Sequence, residues 1–326
     1  YDVVNDDIHI HFFDSISSKN PLIRVVGRAI SKCKRILYFK KNLTNDNIVI
    51  FYHSLALLSY YKLFYKRDIK FVVEAEEIYS DVNMDYKTKE RELDAIRMAS
   101  AFIFPTENLN TIINLCRCPY VIAHGVYLPT PQNVADDNIN QFFDDTMEHH
   151  IHCVYAGTFD PRKGGAEAAI KAARFLPHNY HMHIIGFGTK NEVDNIVRLI
   201  SETQKSSLAK ITYDGLFKGD DYYKYIQKCN IGLSTQNPTG EYNETSFPSK
   251  ILSYLSNGLH VVSIRLPVVE TSSVGNMIVY YEKQDPELIA RAIISVQIDK
   301  EYDSRQYIER LDSIFSKEFQ RMLEVF

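Results

Sequence analysis

Apolar positions along this chain fall into two alternating series with a polar stretch between them. From Val3 to about Ala123, strand-like runs such as "NIVIFYH", "IKFVVEAEE", "SAFIFP" and "PYVIAH" alternate with segments of helical spacing, among them "SLALLSYYKLFYK", "KERELDAIRMA" and "ENLNTIINLC". The alternation restarts at "IHCVYAGTF" and continues through "GAEAAIKAARFL", "HMHIIGFG", "EVDNIVRLISE", "KITYDGLF", "DYYKYIQKC", "IGLSTQ", "HVVSIRL" and "PELIARAIISV". Strands and helices in such alternation predict parallel sheets covered on both faces. Between the series, "VYLPTPQNVADDNINQFFDDTMEHH" has the prolines, acids and amides of a linker. The expected organisation is a first α/β domain over 1–125, a linker over 126–150 and a second α/β domain over 151–302. A closing helix over 303–326, with Tyr307, Ile308, Leu311, Ile314, Phe315 and Phe319 at helical spacing, is expected to pack back on the first domain. The opening "YDVVNDDIHIHFF" reads as a strand already inside a domain, so the first domain is expected to lack its first strand and helix.

Bulk properties narrow the function classes. A length of 326 residues suits two domains of ordinary size. With 45% hydrophobic and 24% charged residues the composition is globular, and no apolar run approaches the roughly 20 residues of a membrane span. A net charge of -4 gives no global attraction to nucleic acid. Five cysteines, with Cys116 and Cys118 too close together for the spaced pairs of a zinc site, point to a reduced, cytosolic chain.

In open parallel sheets ligands bind beyond the carboxyl ends of the strands, so the loops there are the candidates for chemistry. After "CVYAG", the segment "TFDPRKGG" places Arg162 and Lys163 just before a helix whose free N–H groups favour an anion, with phosphate the obvious one. The alternative is a solvated turn. "IIGFGTKN" offers Gly186 and Gly188 for close backbone approach or for an ordinary tight turn, and lacks the third glycine of a dinucleotide fingerprint. "YDGLFKGDD" adds Gly215 and Leu216, whose backbone edge either reads a base or plays no part. In "ETSFPSKILSYLSNGLHVVS" a helix is expected to start near Pro248, stop at Gly258 and give way to a strand. Its start would bring Thr245, Ser246, Ser249 and Lys250 to the same crevice as Lys163 and Gly186, the alternative being a solvated Lys250 and a Pro248 that only starts the helix.

In order and spacing, these segments resemble the large retaining family of nucleotide-sugar-dependent glycosyltransferases with the GT-B fold, over nearly the whole chain. The resemblance implies two Rossmann-like domains facing across a cleft. A UDP- or GDP-type nucleotide sugar would sit on the second domain and a glycan or lipid-linked acceptor on the first, with no prosthetic group and no metal. It implies phosphate contacts from Gly157, Thr158, Arg162, Lys163, Ser246 and Lys250, Thr158 standing where the family has an arginine that Arg162 would replace. Nucleotide and sugar contacts would come from Gly186, Gly188, Gly215, Leu216, Thr245, Phe247, Pro248, Ser249, Ile251 and Ser253. The family's two carboxylates fall at Thr245, with Glu244 one place away, and at Ser253, so both positions depart from the pattern. His53 matches a family histidine near the donor sugar, and Glu76 an acceptor-side histidine; His53, Glu76 and Glu244 are the catalytic candidates. Glu74 and Glu76 are expected on one strand face and Glu77 on the other, at the acceptor side, the alternative being ion pairs with Arg91 or Arg97. Other functions compatible with the same fold are a sugar-nucleotide epimerase and a non-catalytic nucleotide-sugar or glycan-binding subunit.

Two features stand apart. His149, His150 and His152 cross from linker into strand without metal-site spacing, and His181 and His183 share a strand face, which reads as a buried hydrogen-bonded pair or an edge-strand pair. Residues 19–41 carry eight Lys or Arg and no acid, with Arg24, Arg28, Lys32 and Arg35 on one helical face beside Val25, Ala29, Cys33 and Ile36. That pattern suits either a core helix with a solvated basic face or peripheral docking on an anionic membrane, which a role in surface polysaccharide assembly at the inner face of the cytoplasmic membrane would use.

Overall fold

The computed structural model describes residues 2–5, 8–11, 13, 19–44, 47–83, 85–131, 141–143, 150–298 and 302–325. Strands β1 (Asp2–Asn5) and β2 (Ile8–His11) form a separate antiparallel pair, with Asn5 opposite Ile8. The opening run is therefore an antiparallel pair and not a strand of either parallel sheet; the two strands are too close in sequence for the crossover of a dozen or more residues that parallel pairing needs.

Helix α1 (Pro21–Asn42) starts at Asn20, whose Oδ1 accepts from the N–H of Leu22 at 2.9 Å. Its second half packs Ile36 and Phe39 on the first core. In its first half Leu22, Val25 and Val26 are 75%, 64% and 56% exposed, which is not the apolar stripe of a core helix. The chain continues through β3 (Val49–Tyr52), α2 (Leu58–Lys66), β4 (Phe71–Glu74), α3 (Tyr79–Val82), α4 (Tyr86–Ile96), β5 (Ala101–Phe104), α5 (Glu107–Ile113) and β6 (Tyr120–Ile122). These four strands form one parallel sheet in the order β3-β4-β5-β6, over a core that includes Tyr61, Phe64, Phe71, Ile96, Phe102 and Leu109. Of the expected linker, residues 132–140 and 144–149 lie outside the described residues.

The second unit runs β7 (Ile151–Thr158), α6 (Gly165–Ala173), β8 (Tyr180–Phe187), α7 (Lys190–Gln204), β9 (Lys210–Gly215), α8 (Asp220–Ile226), β10 (Ile231–Ser234), α9 (Ser249–Ser256), β11 (His260–Ile264), α10 (Pro267–Glu270), β12 (Ile278–Tyr281) and α11 (Pro286–Ser295). Its six parallel strands take the order β12-β11-β10-β7-β8-β9. The chain leaves β7 toward one edge and β10 toward the other, so the crevice between these two strands is the switch point where such sheets bind ligands. Closing helix α12 (Arg305–Glu324) lays Phe315, Phe319 and Met322 against Val72, Ala101, Ile103 and Val121 of the first sheet. Just before it, Ser304 donates to the carbonyl of Leu255 at 2.7 Å, which ties the helix start to the second unit.

Candidate active site

At the switch point the organising residue is Tyr155. It is buried in β7, with its hydroxyl donating to the carbonyl of Thr158 at 3.2 Å. Two glycines make room for its ring: a Cβ on Gly165 would lie 2.7 Å from it, and one on Gly157 would lie 3.2 Å from both its Oη and the Lys250 Nζ. The Lys250 ammonium rests over the ring, 4.1 Å from the centroid. Burial, reinforced by the positive charge of Lys163, pushes the Lys250 pKa down to about 7. Lys163 thus lies near enough to Lys250 for its charge to be felt there.

Helix ends complete the cradle. Helix α6 begins behind Gly164, at φ +60°, and α9 behind Pro248; neither residue caps the helix with a side chain. Their first N–H groups are left to face an anion. Helix α7, by contrast, closes itself, with the N–H of Thr189 donating to Glu192 Oε2 at 2.6 Å and Thr189 accepting from Glu192. The glycines before it serve the protein's own packing. A Cβ on Gly186, at φ +141°, would sit 1.8 Å from the Gly157 carbonyl oxygen, and one on Gly188 would sit 2.8 Å from the Glu192 carboxylate. Gly215, at φ +95°, borders open space, and Leu216 beside it is 48% exposed.

Arg162 turns back on Asp160, with contacts of 2.7 and 3.1 Å, and is largely exposed; the two-residue separation across Pro161 lets the guanidinium fork close on its own turn instead of reaching the lysines. Thr158 ends β7 half-buried. Ser253 exchanges a hydrogen bond with the Tyr222 hydroxyl at 2.9 Å. Ile251 is fully buried in the second core, and its N–H donates to the Pro248 carbonyl. Ser249 opens α9 exposed, and the Ser246 hydroxyl is buried without a partner.

The segment before α9 joins the two units. Thr106 Oγ1 donates to the carbonyl of Thr245 at 2.8 Å and Asn108 Nδ2 to that of Glu244 at 2.6 Å, while the Glu244 side chain is exposed. Phe247 stacks on His124, ring centroids 4.8 Å apart. His124 holds the Pro105 carbonyl through Nδ1 at 2.7 Å and accepts the N–H of Ser273 at Nε2, 3.1 Å. Neither His124 nor Tyr155 stands out in the sequence, because a histidine after a strand and an aromatic within one are ordinary core residues. A cavity of about 850 Å³ lies next to this junction, lined by Thr106, His124, Glu244, Ser273, Tyr307 and Phe315; Tyr155, Lys163 and Lys250 do not line it.

On the first unit His53 is buried, with Nδ1 at 3.0 Å from the Tyr61 hydroxyl and Nε2 at 2.9 Å from Glu92 Oε1. Both ring nitrogens are engaged. Glu92 also accepts the N–H groups of Tyr79 and Ser80 and the Ser80 hydroxyl. Burial works to raise its pKa, but these bonds outweigh it and hold the carboxyl below its ordinary range. Strand β4 stops at Glu74, so the strict alternation expected through Glu77 ends there. Glu76 accepts from the Tyr52 hydroxyl at 2.9 Å. Glu74 is raised by burial and then by Glu76. Glu77 is raised by burial, with Lys163 of the other unit close enough to oppose it. Arg97 instead donates to the carbonyls of Ile112 and Ile113 and has Asp94 as its carboxylate neighbour at 3.9 Å.

No family model and no curated protein matches this chain in sequence. Solved structures do match its fold. HepE from Anabaena, crystallised in complex with UDP, superposes with a TM-score of 0.67 at 14% identity over 92% of this chain and 83% of its own. A glycosyltransferase from Rickettsia africae gives 0.67 at 15% identity over 97% and 85%. The E. coli trehalose-6-phosphate structure bound with UDP-2-fluoro glucose gives 0.61 at 12% identity over 92% and 76%. The chain thus has the two-domain GT-B architecture, two Rossmann-like parallel sheets facing across a cleft.

Proposed function

We propose that the protein is a glycosyltransferase that takes a sugar from a nucleoside diphosphate donor of the UDP type and transfers it, with retention, to a glycan or lipid-linked acceptor. The observation that carries this reading is the convergence of Lys163, Lys250 and the open N-termini of α6 and α9 around Tyr155. Support comes from the UDP and UDP-2-fluoro glucose held by proteins of the same fold. In the reaction the bond between the anomeric carbon and the β-phosphate oxygen breaks and its electron pair leaves with the diphosphate. The two ammonium groups and the helix ends stabilise that charge where it develops. The acceptor hydroxyl attacks from the same face, and its proton passes to the departing phosphate oxygen. Gly215 and Leu216 border the base, and the orphaned Ser246 hydroxyl takes a phosphate oxygen. Glu77, opposite Lys163, sits on the acceptor side. His53, tied to Tyr61 and Glu92, positions the first unit's loop and does not act as a free base.

The first half of α1 supports a cytoplasmic-face membrane contact. Leu22, Val25 and Val26 are exposed among Lys19, Arg24 and Arg28, and each basic residue near an anionic surface contributes about 1 kcal/mol. Co-sedimentation with phosphatidylglycerol vesicles checks this, with Val25→Glu/Val26→Glu expected to abolish it.

A thermal-shift panel of nucleoside diphosphate sugars tests the donor assignment, since a ligand at a hundredfold its Kd stabilises by about 2.7 kcal/mol. Incubation of the stabilising donor with membrane extracts then tests transfer. Stabilisation without release of nucleoside diphosphate would leave only a binding protein, and no stabilisation by any donor would reject the assignment.

A further inference from the structure

Far from the lysine crevice, three histidines meet on one face of the second sheet. His152 of β7 is the register partner of His181 in β8, and His183 follows on the same face. One ring nitrogen from each lies within 4.8 Å of those of the other two. His152 Nδ1 and His183 Nε2 are 2.9 Å apart, and the rings of His181 and His183 are 3.7 Å apart at their centroids. Six residues of β7, about 20 Å at ~3.3 Å each, separate His152 from Thr158 at the crevice.

The surroundings are those of ligands held in place. His183 Nδ1 is 2.7 Å from Asp214 Oδ2, a carboxylate that also accepts from the Tyr225 hydroxyl. Donation to a carboxylate fixes the tautomer and leaves Nε2 with its lone pair, as in metal-binding histidines. His181 is held through Nε2 by Thr212 Oγ1 at 2.9 Å, while its Nδ1 is buried with no partner. His150, whose ring lies 6.2 Å from that of His152, has both nitrogens buried without a partner. Two buried rings with unsatisfied nitrogens are costly as packing alone. Burial pushes the pKa of all three clustered rings down. Lys210 and Lys228 act on His152 and oppose a further positive charge; Asp214 offsets part of that.

We infer that His152, His181 and His183 form a structural binding site for a divalent first-row transition metal, zinc fitting best, with Asp214 orienting His183. Nitrogens about 2.0–2.1 Å from a tetrahedral zinc stand roughly 3.3 Å apart, so the 2.9 Å pair need open only slightly. His152, the one ring of the three not fully buried, supplies the entry path. Bound there, the cation would clamp β7 to β8 and, through Thr212 and Asp214, to β9.

The test uses the full chain with any affinity tag removed, stripped with chelator and titrated with Co²⁺ and Zn²⁺. Expected are visible bands of tetrahedral cobalt saturating near one ion per chain, reversed by zinc, and a rise in melting temperature with zinc. His152→Gln should lose the cobalt bands while keeping the chelator-treated melting temperature, and Asp214→Asn should weaken binding by about 10–100-fold. Absence of saturable cobalt bands in the unaltered chain overturns the inference, as does equal binding by His152→Gln. If His152→Gln does not fold, Asp214→Asn decides: unchanged affinity counts against the site.

Discussion

Lys250 places its ammonium over the ring of Tyr155, 4.1 Å from the centroid, in the space that the missing side chain of Gly157 leaves open. Burial and the nearby charge of Lys163 hold this cation at a cost to stability that the contact with the ring offsets in part and an anionic ligand would offset further. The arrangement is strained toward binding, and that has consequences for both stability and affinity.

Replacing Lys250 with Met keeps the volume and the contact with the Tyr155 ring and removes the charge. The unliganded protein should gain about 1–3 kcal/mol. UDP should no longer raise its melting temperature. Differential scanning calorimetry with and without UDP measures both, and a loss of stability in Lys250→Met would contradict the picture of an incompletely compensated cation.

The same lysine makes donor binding pH-dependent. Its free-state pKa is about 7, and a diphosphate, which favours the charged form, raises it in the complex. Affinity is then greatest below about 7 and falls as pH rises through the interval between the free and bound values. Binding takes up a proton in that interval. Titration calorimetry of UDP near pH 8 in two buffers of different ionisation enthalpy should show this uptake, and Lys250→Met should show none.

Gly186 illustrates a sequence signal whose meaning only the register discloses. Opposite Gly157 in the β7–β8 pairing, at φ +141°, it has no room for a Cβ, which would lie 1.8 Å from a carbonyl oxygen. Gly186→Ala should destabilise the second unit by at least about 3 kcal/mol through clash and backbone strain together. Urea denaturation measures it. Gly215→Ala, strained at φ +95° but facing open space, should cost less.

Much of the architecture was legible because parallel α/β sheets write strand and helix in alternation, and the loop lysines at 163 and 250 follow strands that the pattern locates. What stayed hidden depends on contacts between distant segments. Tyr155 reads as one more core aromatic until Gly157, Gly165 and Lys250 are seen around it. Glu92 reads as a solvated helix acid, yet it is buried under His53 and two backbone N–H groups. His152 looked like part of a run with His149 and His150, whereas the β7–β8 register sets it beside His181 and His183; His149 lies outside the described residues. Arg162 pairs with its neighbour Asp160, a local contact that the loop sequence does not disclose. The opening run was misjudged because period-two patterning does not distinguish an antiparallel pair from a parallel strand.

His124 spans the junction of the two units. It donates from Nδ1 to the Pro105 carbonyl and accepts at Nε2 from the N–H of Ser273, so it joins the two units only as a neutral ring. Burial depresses its pKa, opposed in part by the Pro105 hydrogen bond. A histidine whose folded pKa lies below its unfolded value of about 6.5 contributes stability that is present above that value and lost as pH falls toward the folded one. Protonation at Nε2 would set an N–H against the N–H of Ser273 and release the contact. His124→Phe keeps the stacking surface for Phe247 and gives up both hydrogen bonds, so it should cost about 1–3 kcal/mol near pH 7.5. Because the wild type alone loses the histidine's contribution in acid, the gap between the two proteins should narrow at pH 5. Urea unfolding at the two pH values measures the gap; a gap that stays constant or widens in acid would show that His124 is not held neutral at the junction.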